Sequence, residues 1–150
     1  MASFIVRQIT VLDLPLMAAM MTIFGEAFGE PDTYAHARPP KAYTERLLAS
    51  DSFIAVAALK GDTVVGGLAA YELHKYEQER SEIYLYDLAV TQTHRREGIA
   101  IALIGKLQQI AKARGAYVIF VQADTADAPA IALYTKLGAR EDVLQFDIKP

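Results

Sequence analysis

No cysteine occurs in this 150-residue sequence. That excludes disulfides, thiolate zinc sites and any covalent mechanism through a catalytic thiol. No apolar run approaches the roughly 20 residues that a membrane-spanning helix needs. The stretch from residue 1 to 10 lacks the basic start, apolar core and small-residue cleavage site of a secretory leader, so a cytoplasmic location is expected. Neither a Walker pattern ending in Lys-Ser/Thr nor a Gly-x-Gly-x-x-Gly fingerprint is present. The histidines, His36, His74 and His94, show no metal-ligand spacing, and no metal is expected. With 53% hydrophobic and 22% charged residues the composition is that of a globular protein rather than a disordered or low-complexity one. The length suits one domain spanning residues 1–150.

Net charge is only −3, which argues against nucleic acid as a partner of the whole surface. The charge is unevenly placed. Between Thr91 and Arg114 five bases, Arg95, Arg96, Lys106, Lys112 and Arg114, face the single acid Glu97, a local balance of +4 that leaves −7 elsewhere. Such a segment is either a solvated helix face or a local site for an anion.

Phe4 to Gln8 alternates as a strand. Asp13 is a candidate N-cap for a helix over Leu14 to Phe28, with Leu16, Met17, Met20 and Ile23 at helical spacing. Glu30 to Pro40 is a long loop, read either as a substrate lid or as a plain crossover, before a second helix over Lys41 to Ser50. Phe53 to Lys60 and Val64 to Glu72 form a hairpin around Gly61-Asp62-Thr63, and Ile83 to Val90 is a third long strand. A helix over Gly98 to Arg114 carries Ile99, Ala102, Leu103, Leu107, Ile110 and Ala111 on one stripe. Tyr117 to Gln122 reads as a buried strand parallel to the preceding one. A helix from Asp127 to Leu137 and a last strand over Val143 to Ile148 complete the order β-α-α-β-β-β-α-β-α-β. The fold class is therefore α/β (α+β), a central mixed sheet flanked by helices, without repeats or linkers.

The segment Arg95-Arg96-Glu97-Gly98-Ile99-Ala100 follows the strand residues Leu88-Ala89-Val90 and opens a helix. Free backbone N–H groups at a helix start bind anions, and Gly98 and Ala100 leave room for a phosphate. On spacing alone Gly98 is equally a plain helix start.

This pattern resembles the acyl-coenzyme A loop of the GNAT superfamily of N-acyltransferases, Arg/Gln-x-x-Gly-x-Gly/Ala. A second block, Asp127-Ala128-Pro129-Ala130-Ile131-Ala132-Leu133-Tyr134 closed by Lys136-Leu137-Gly138, is similar to the helix that packs along coenzyme A in that family. The family usually has Asn at the position of Asp127 and Phe at that of Ala139. Longer phrases, among them Phe24-Gly25-Glu26-Ala27-Phe28-Gly29 and Arg80 to Val90, resemble the type I aminoglycoside 3-N-acetyltransferases, the gentamicin-modifying branch.

The resemblance implies acetyl-CoA as cosubstrate, with its pyrophosphate on the amides of Arg96 to Ala100 beside Arg95, and its pantetheine arm along the backbone of Leu88, Ala89 and Val90. Asp127, Ala130 and Tyr134 would also contact it. The missing cysteine makes direct attack in a ternary complex the simplest account, and the resemblance makes Tyr134 the general acid, where helical spacing by itself makes that residue core. Asp87, a charge in an apolar strand, is the candidate general base or the carboxylate that orients the ammonium; its alternative is a salt bridge to a neighbouring Arg or Lys. Alternation sets it opposite Tyr86 and Leu88, and Glu82 is held in reserve. Tyr71, Tyr84, Tyr86 and Tyr117 are read as packing residues. Glu26, Glu30 and Asp32, with Asp124, Asp127, Glu141, Asp142 and Asp147, are candidates to line an acidic cleft for a cationic aminoglycoside or polyamine. Another amine acceptor, such as a peptide, and a non-enzymatic acyl-CoA or amine-binding module are the remaining readings. Family members pair through C-terminal strands, so the apolar edge Val143 to Phe146 is open to a homodimer or to coverage by the chain's own fold.

Overall fold

A computed structural model describes residues 3–150; Met1 and Ala2, part of the stretch read for a leader, lie outside the described residues. The elements are β1 (Ile5–Gln8), α1 (Leu14–Phe28), a π-helical turn (Asp32–His36), α2 (Lys41–Ala49), β2 (Phe53–Lys60), β3 (Thr63–His74) and β4 (Ser81–Val90). They continue with a 3-10 turn (Gln92–His94), α3 (Ile99–Arg114), β5 (Ala116–Val121) and α4 (Ala128–Leu137). The five strands form one mixed sheet in the order β1-β2-β3-β4-β5, antiparallel except for the parallel β4–β5 pair.

The apolar run of β2 is explained by cover on both faces of the sheet. Ile54, Val56 and Ala58 alternate toward a core that takes Ile99, Leu103, Leu107 and Ala111 from α3. Phe53, Ala55, Ala57 and Leu59 face the other way, against Met17, Met20, Ile23 and Phe24 of α1. The two helical stripes read from the sequence are these two contact faces. Gly66 and Gly67 let both helices approach β3. A Cβ on Gly67 would stand 2.3 Å from Met20 Sδ, and one on Gly66 would stand 3.1 Å from Ala89 O and 3.3 Å from Ile99 Cγ2. Larger residues at either position would push a helix off the sheet.

Two local expectations are corrected. Asp13 precedes α1 but does not cap it: its carboxylate accepts from the Thr10 N–H and hydroxyl and pairs with Arg7 at 2.9 Å. Val143 to Ile148 forms no strand. Val143, Leu144, Phe146 and Ile148 are 72–90% exposed, and the side-chain hydrogen bonds of this segment are the local pairs Arg140–Asp142 and Gln145–Asp147. Alternating apolar residues make a strand only where they bond a partner edge, and this segment pairs with neither edge strand, β1 or β5. No helix among the described residues is long and apolar enough to cross a membrane.

Candidate active site

Strands β4 and β5 pair from Ser81↔Ala116 to Leu85↔Val121, with a one-residue shift after Ser81, and then part. β4 continues to Val90 bonded to β3 alone, whereas β5 ends at Val121. The gap is a cleft of about 450 Å³. Its walls are Leu85 to Leu88 on one side and Val121 to Asp124 on the other, with Asp127, Ala130 and Tyr134 from the start of α4 and Ala27, Phe28 and Glu30 from the end of α1. Beyond Leu85 the backbone of β4 on its β5 side has no strand partner. An extended ligand can supply the missing hydrogen bonds.

A bulge aims the chemistry. Ala70 pairs with Leu85 and Ala69 with Asp87, so Tyr86 is the extra residue on β4. Tyr86 touches Tyr71, and Asp87 bonds Tyr34; both of these partners pack against the α1-side core. Tyr86 and Asp87 therefore share the α1 face, in place of the opposite faces that simple alternation implies, while Leu88 does point the other way, into the α3-side core.

Asp87 is half-buried, and its partner is not a basic residue. The Tyr34 hydroxyl donates to Asp87 Oδ2 at 2.8 Å. Burial lifts the Asp87 carboxyl above the ordinary carboxylate range; the Tyr34 hydrogen bond opposes this, and the nearby Glu30 charge adds to it. Tyr34 comes from the π-helical turn in the long loop, and its ring packs on Phe24 and Phe28 with centroids 6.0 and 5.6 Å away. The loop thus delivers a side chain to Asp87 from 53 positions away, a distance at which no periodicity or motif signals the contact. Tyr34→Phe is expected to raise the Asp87 carboxyl pKa further, since the hydrogen bond that opposes the effect of burial is lost. Carboxyl-carbon NMR titration of the two proteins checks it.

Tyr134 is half-buried on α4, and its hydroxyl makes no protein hydrogen bond among the described residues. Burial first, and then Asp127, raise its pKa, so the hydroxyl keeps its proton. The Asp127 carboxylate caps α4, accepting from the Ala130 N–H at 3.2 Å.

Below the cleft, Gly98 caps α3 with φ +81°, and Arg96 is also left-handed at φ +62°. No side chain caps this helix, and its first turn holds no acid, so its leading amides are free for an anion. Gly98 is the residue for which that conformation is unstrained, and a Cβ there would meet nothing within 4 Å. Ile99 anchors the turn in the core, Ala100 is half-buried, and Arg95 and Arg96 are exposed. Glu97 is tied to Lys60, which leaves its backbone for a ligand. The local excess of +4 does not collect here. Arg114 lies at the far end of α3, about 24 Å away at 1.5 Å per residue, pairing with Glu72 at 2.7 Å.

Of the acids proposed for the acceptor, Glu30, Asp87, Asp124 and Asp127 line the cleft. Glu82 does not: Lys75 at 3.2 Å and the Tyr117 hydroxyl hold it half-buried near the other end of β4, and the Tyr117 bond leads in keeping its carboxyl below the ordinary range. Glu26 is exposed outside the lining, Asp32 pairs with His36 at the surface, and Asp142 and Asp147 sit in the exposed C-terminal run with Glu141. Of the cofactor residues, Leu88 lines the cleft, Val90 packs toward α3, and Ala89 is buried toward α1. Tyr86 is 56% exposed and lines the cleft, which corrects its reading as a packing residue. No metal-ligating cluster occurs among the described residues.

The model of the acetyltransferase (GNAT) family matches residues 17–139. The chain belongs to this family. Over 99% of each chain this acetyltransferase is 60% identical to an aminoglycoside acetyltransferase from an uncultured soil metagenomic sample, with a TM-score of 0.97. It is also 29–30% identical, with a TM-score of 0.90, to a second soil-metagenome aminoglycoside acetyltransferase solved in complexes with trehalose and with sisomicin, over 98% of this chain and 96% of that one. Rat (Rattus norvegicus) N-acetyltransferase 8B is 32% identical over 81 residues, 54% of this chain and 36% of that protein. The chain thus matches little more than a third of that curated relative's length.

GNAT acetyltransferases take their acyl group from acetyl-CoA, and the site fits that donor on its own geometry. The uncapped start of α3 and the exposed Arg95 and Arg96 suit a pyrophosphate. The unpaired edge of β4 suits the amide-bearing arm.

Proposed function

We propose that this acetyltransferase acetylates an amino group of an aminoglycoside, the 3-amino group of the deoxystreptamine ring in drugs of the gentamicin type, and so confers resistance in the cytoplasm. The observation that carries the reading is the convergence of Glu30, Asp87, Asp124 and Asp127 on one cleft beside the open edge of β4. Several carboxylates around one cavity favour an acceptor with several ammonium groups over one with a single amine, and the attraction weakens as salt rises. The names of the 60%- and 30%-identical soil-metagenome proteins support the same acceptor class.

Acetyl-CoA, when bound, supplies an acetyl group on a good leaving thiol. The chain's residues do the rest. The amides of Arg96 to Ala100 would hold the pyrophosphate, and the β4 edge from Leu88 to Val90 would hold the arm and offer an N–H group to the thioester oxygen. Asp87 receives the proton that the acceptor ammonium must lose, and its raised pKa makes it a better base than an ordinary carboxylate. Tyr134 gives its proton to the departing sulfur. With no cysteine in the chain, the transfer is direct.

The deciding experiment is thiol release from acetyl-CoA with gentamicin, kanamycin and spermidine, followed by NMR location of the acetylated nitrogen. Turnover of gentamicin at the 3-amino group is the expected result. Strong spermidine turnover with weak gentamicin turnover would transfer the reading to a polyamine acceptor, and no turnover of any amine would leave a binding module.

Pairing of two copies through the C-terminal run belongs to the same proposal. Four apolar side chains at 72–90% exposure on one extended segment are costly in water and are supported by burial against a second chain. Sedimentation at twice the 16.5 kDa chain mass is expected.

A further inference from the structure

The α1 face of the sheet carries a row of rings that no step above uses. Phe53 on β2 pairs with Tyr71 on β3, Tyr71 with Tyr84 on β4, and Tyr84 with Phe120 on β5, so one straight line of cross-strand partners crosses four strands. The rings touch accordingly: Phe53–Tyr71 at 5.4 Å between centroids, and Tyr84–Phe120 stacked at 4.6 Å. Tyr86 is not part of that ladder. Two residues beyond Tyr84 it lies on the same face, where its ring meets Tyr71 at 5.6 Å and 90° and Tyr84 at 5.4 Å and 65°. Two rings thus brace Tyr86 edge-on, a geometry that aromatic pairs favour.

The braced ring remains 56% exposed, directly after the register break and next to Asp87 in the cleft lining. The exposed ring face is available to a ligand in the cleft. The bulge after Leu85 brings Asp87 onto the same face beside it. The surroundings specify the ligand's chemistry. A fixed aromatic face takes a flat array of C–H groups, and the carboxylates Glu30, Asp124 and Asp127 in the same lining take ammonium groups at its edge. A saturated six-membered ring bearing amino groups offers both; a linear polyamine has the charges without the face.

We propose that Tyr86 is the specificity-determining residue of the acceptor site, a rigid platform on which the aminocyclitol or amino-sugar ring lies while the neighbouring Asp87 faces its reacting amine. This rests on the aminoglycoside reading above and deepens it by naming what recognises the ring rather than the charge.

Kinetics with gentamicin and acetyl-CoA test it. Tyr86→Ala is expected to raise the gentamicin KM roughly tenfold, with kcat within about threefold and the acetyl-CoA KM unchanged, the size of a lost aromatic contact. Tyr86→Phe, which returns the ring without the hydroxyl, is expected to bring the KM back to within about twofold. The chain contains no tryptophan, so Tyr86→Trp also creates a single fluorophore, whose emission should shift saturably on titration with gentamicin. A gentamicin KM that Tyr86→Ala leaves unchanged, a loss that Tyr86→Phe does not restore, or silent Tyr86→Trp emission in a protein that still acetylates gentamicin overturns the platform and leaves the acceptor class standing. Wild-type protein that acetylates no aminoglycoside overturns the acceptor class itself, and the platform with it.

Discussion

Asp87→Asn is expected to lower kcat for acetyl transfer by about 10²–10⁴-fold, the range for losing a positioned general base, with the acetyl-CoA KM within about twofold of wild type. Asn retains the shape of the side chain, and its carbonyl oxygen still accepts from the Tyr34 hydroxyl, so what disappears is the capacity to take a proton. The same substitution should make the protein more stable at neutral pH. Burial raises the folded-state pKa of Asp87 above its unfolded value. The folded state is therefore penalised once Asp87 ionises: no penalty exists below the unfolded value, and it is complete above the folded one. Asn carries no charge and escapes it. A thermal melt at pH 7 with a higher Tm for Asp87→Asn, beside a collapsed kcat, is the joint signature. A kcat reduced only a few-fold would remove Asp87 from the role of base.

Tyr134→Phe is expected to reduce kcat by about 10²-fold or more through loss of the general acid, again with little change in the acetyl-CoA KM. Burial, and then the Asp127 charge, push the phenol's pKa upward. It therefore remains protonated across the working range, and no alkaline fall in rate below about pH 10 should come from it. The pH profile separates the two residues. In Tyr134→Phe the acid limb, which reports Asp87, should stay where it is in wild type while the plateau drops. A plateau that stays level with wild type, or an acid limb that moves with the substitution, would mean that Tyr134 acts by packing against the α3-side core, where its ring also lies.

These expectations draw on two different levels of the molecule. The elements themselves were legible because their signals are local. Seven consecutive buried residues in β2 are apolar, the stripes of α1 and α3 repeat at helical spacing, and Gly98 opens a helix after two arginines. The end of the sheet was not legible. The alternation at Val143 to Ile148 is as good as that of a real strand, but a strand exists only where it bonds a partner edge, and this segment pairs with neither edge strand, β1 or β5.

The composition of the cleft was legible only in part. Asp87, Asp127 and Tyr134, singled out from the sequence, all line the cleft. Glu82 and Asp32 have the same chemistry as Glu30 and Asp124, yet Lys75, Tyr117 and His36 claim them first. Sequence alone therefore determined most of the elements and the glycine-opened start of α3, since each depends on neighbours within a few residues, whereas Tyr134 became a candidate acid only through the family resemblance. Tertiary structure decided which acids meet, that Tyr34 orients Asp87, and that Tyr86 turns into the cleft. Those outcomes depend on the register of β4 against β3 and its divergence from β5, and register is set by contacts between residues far apart in the chain.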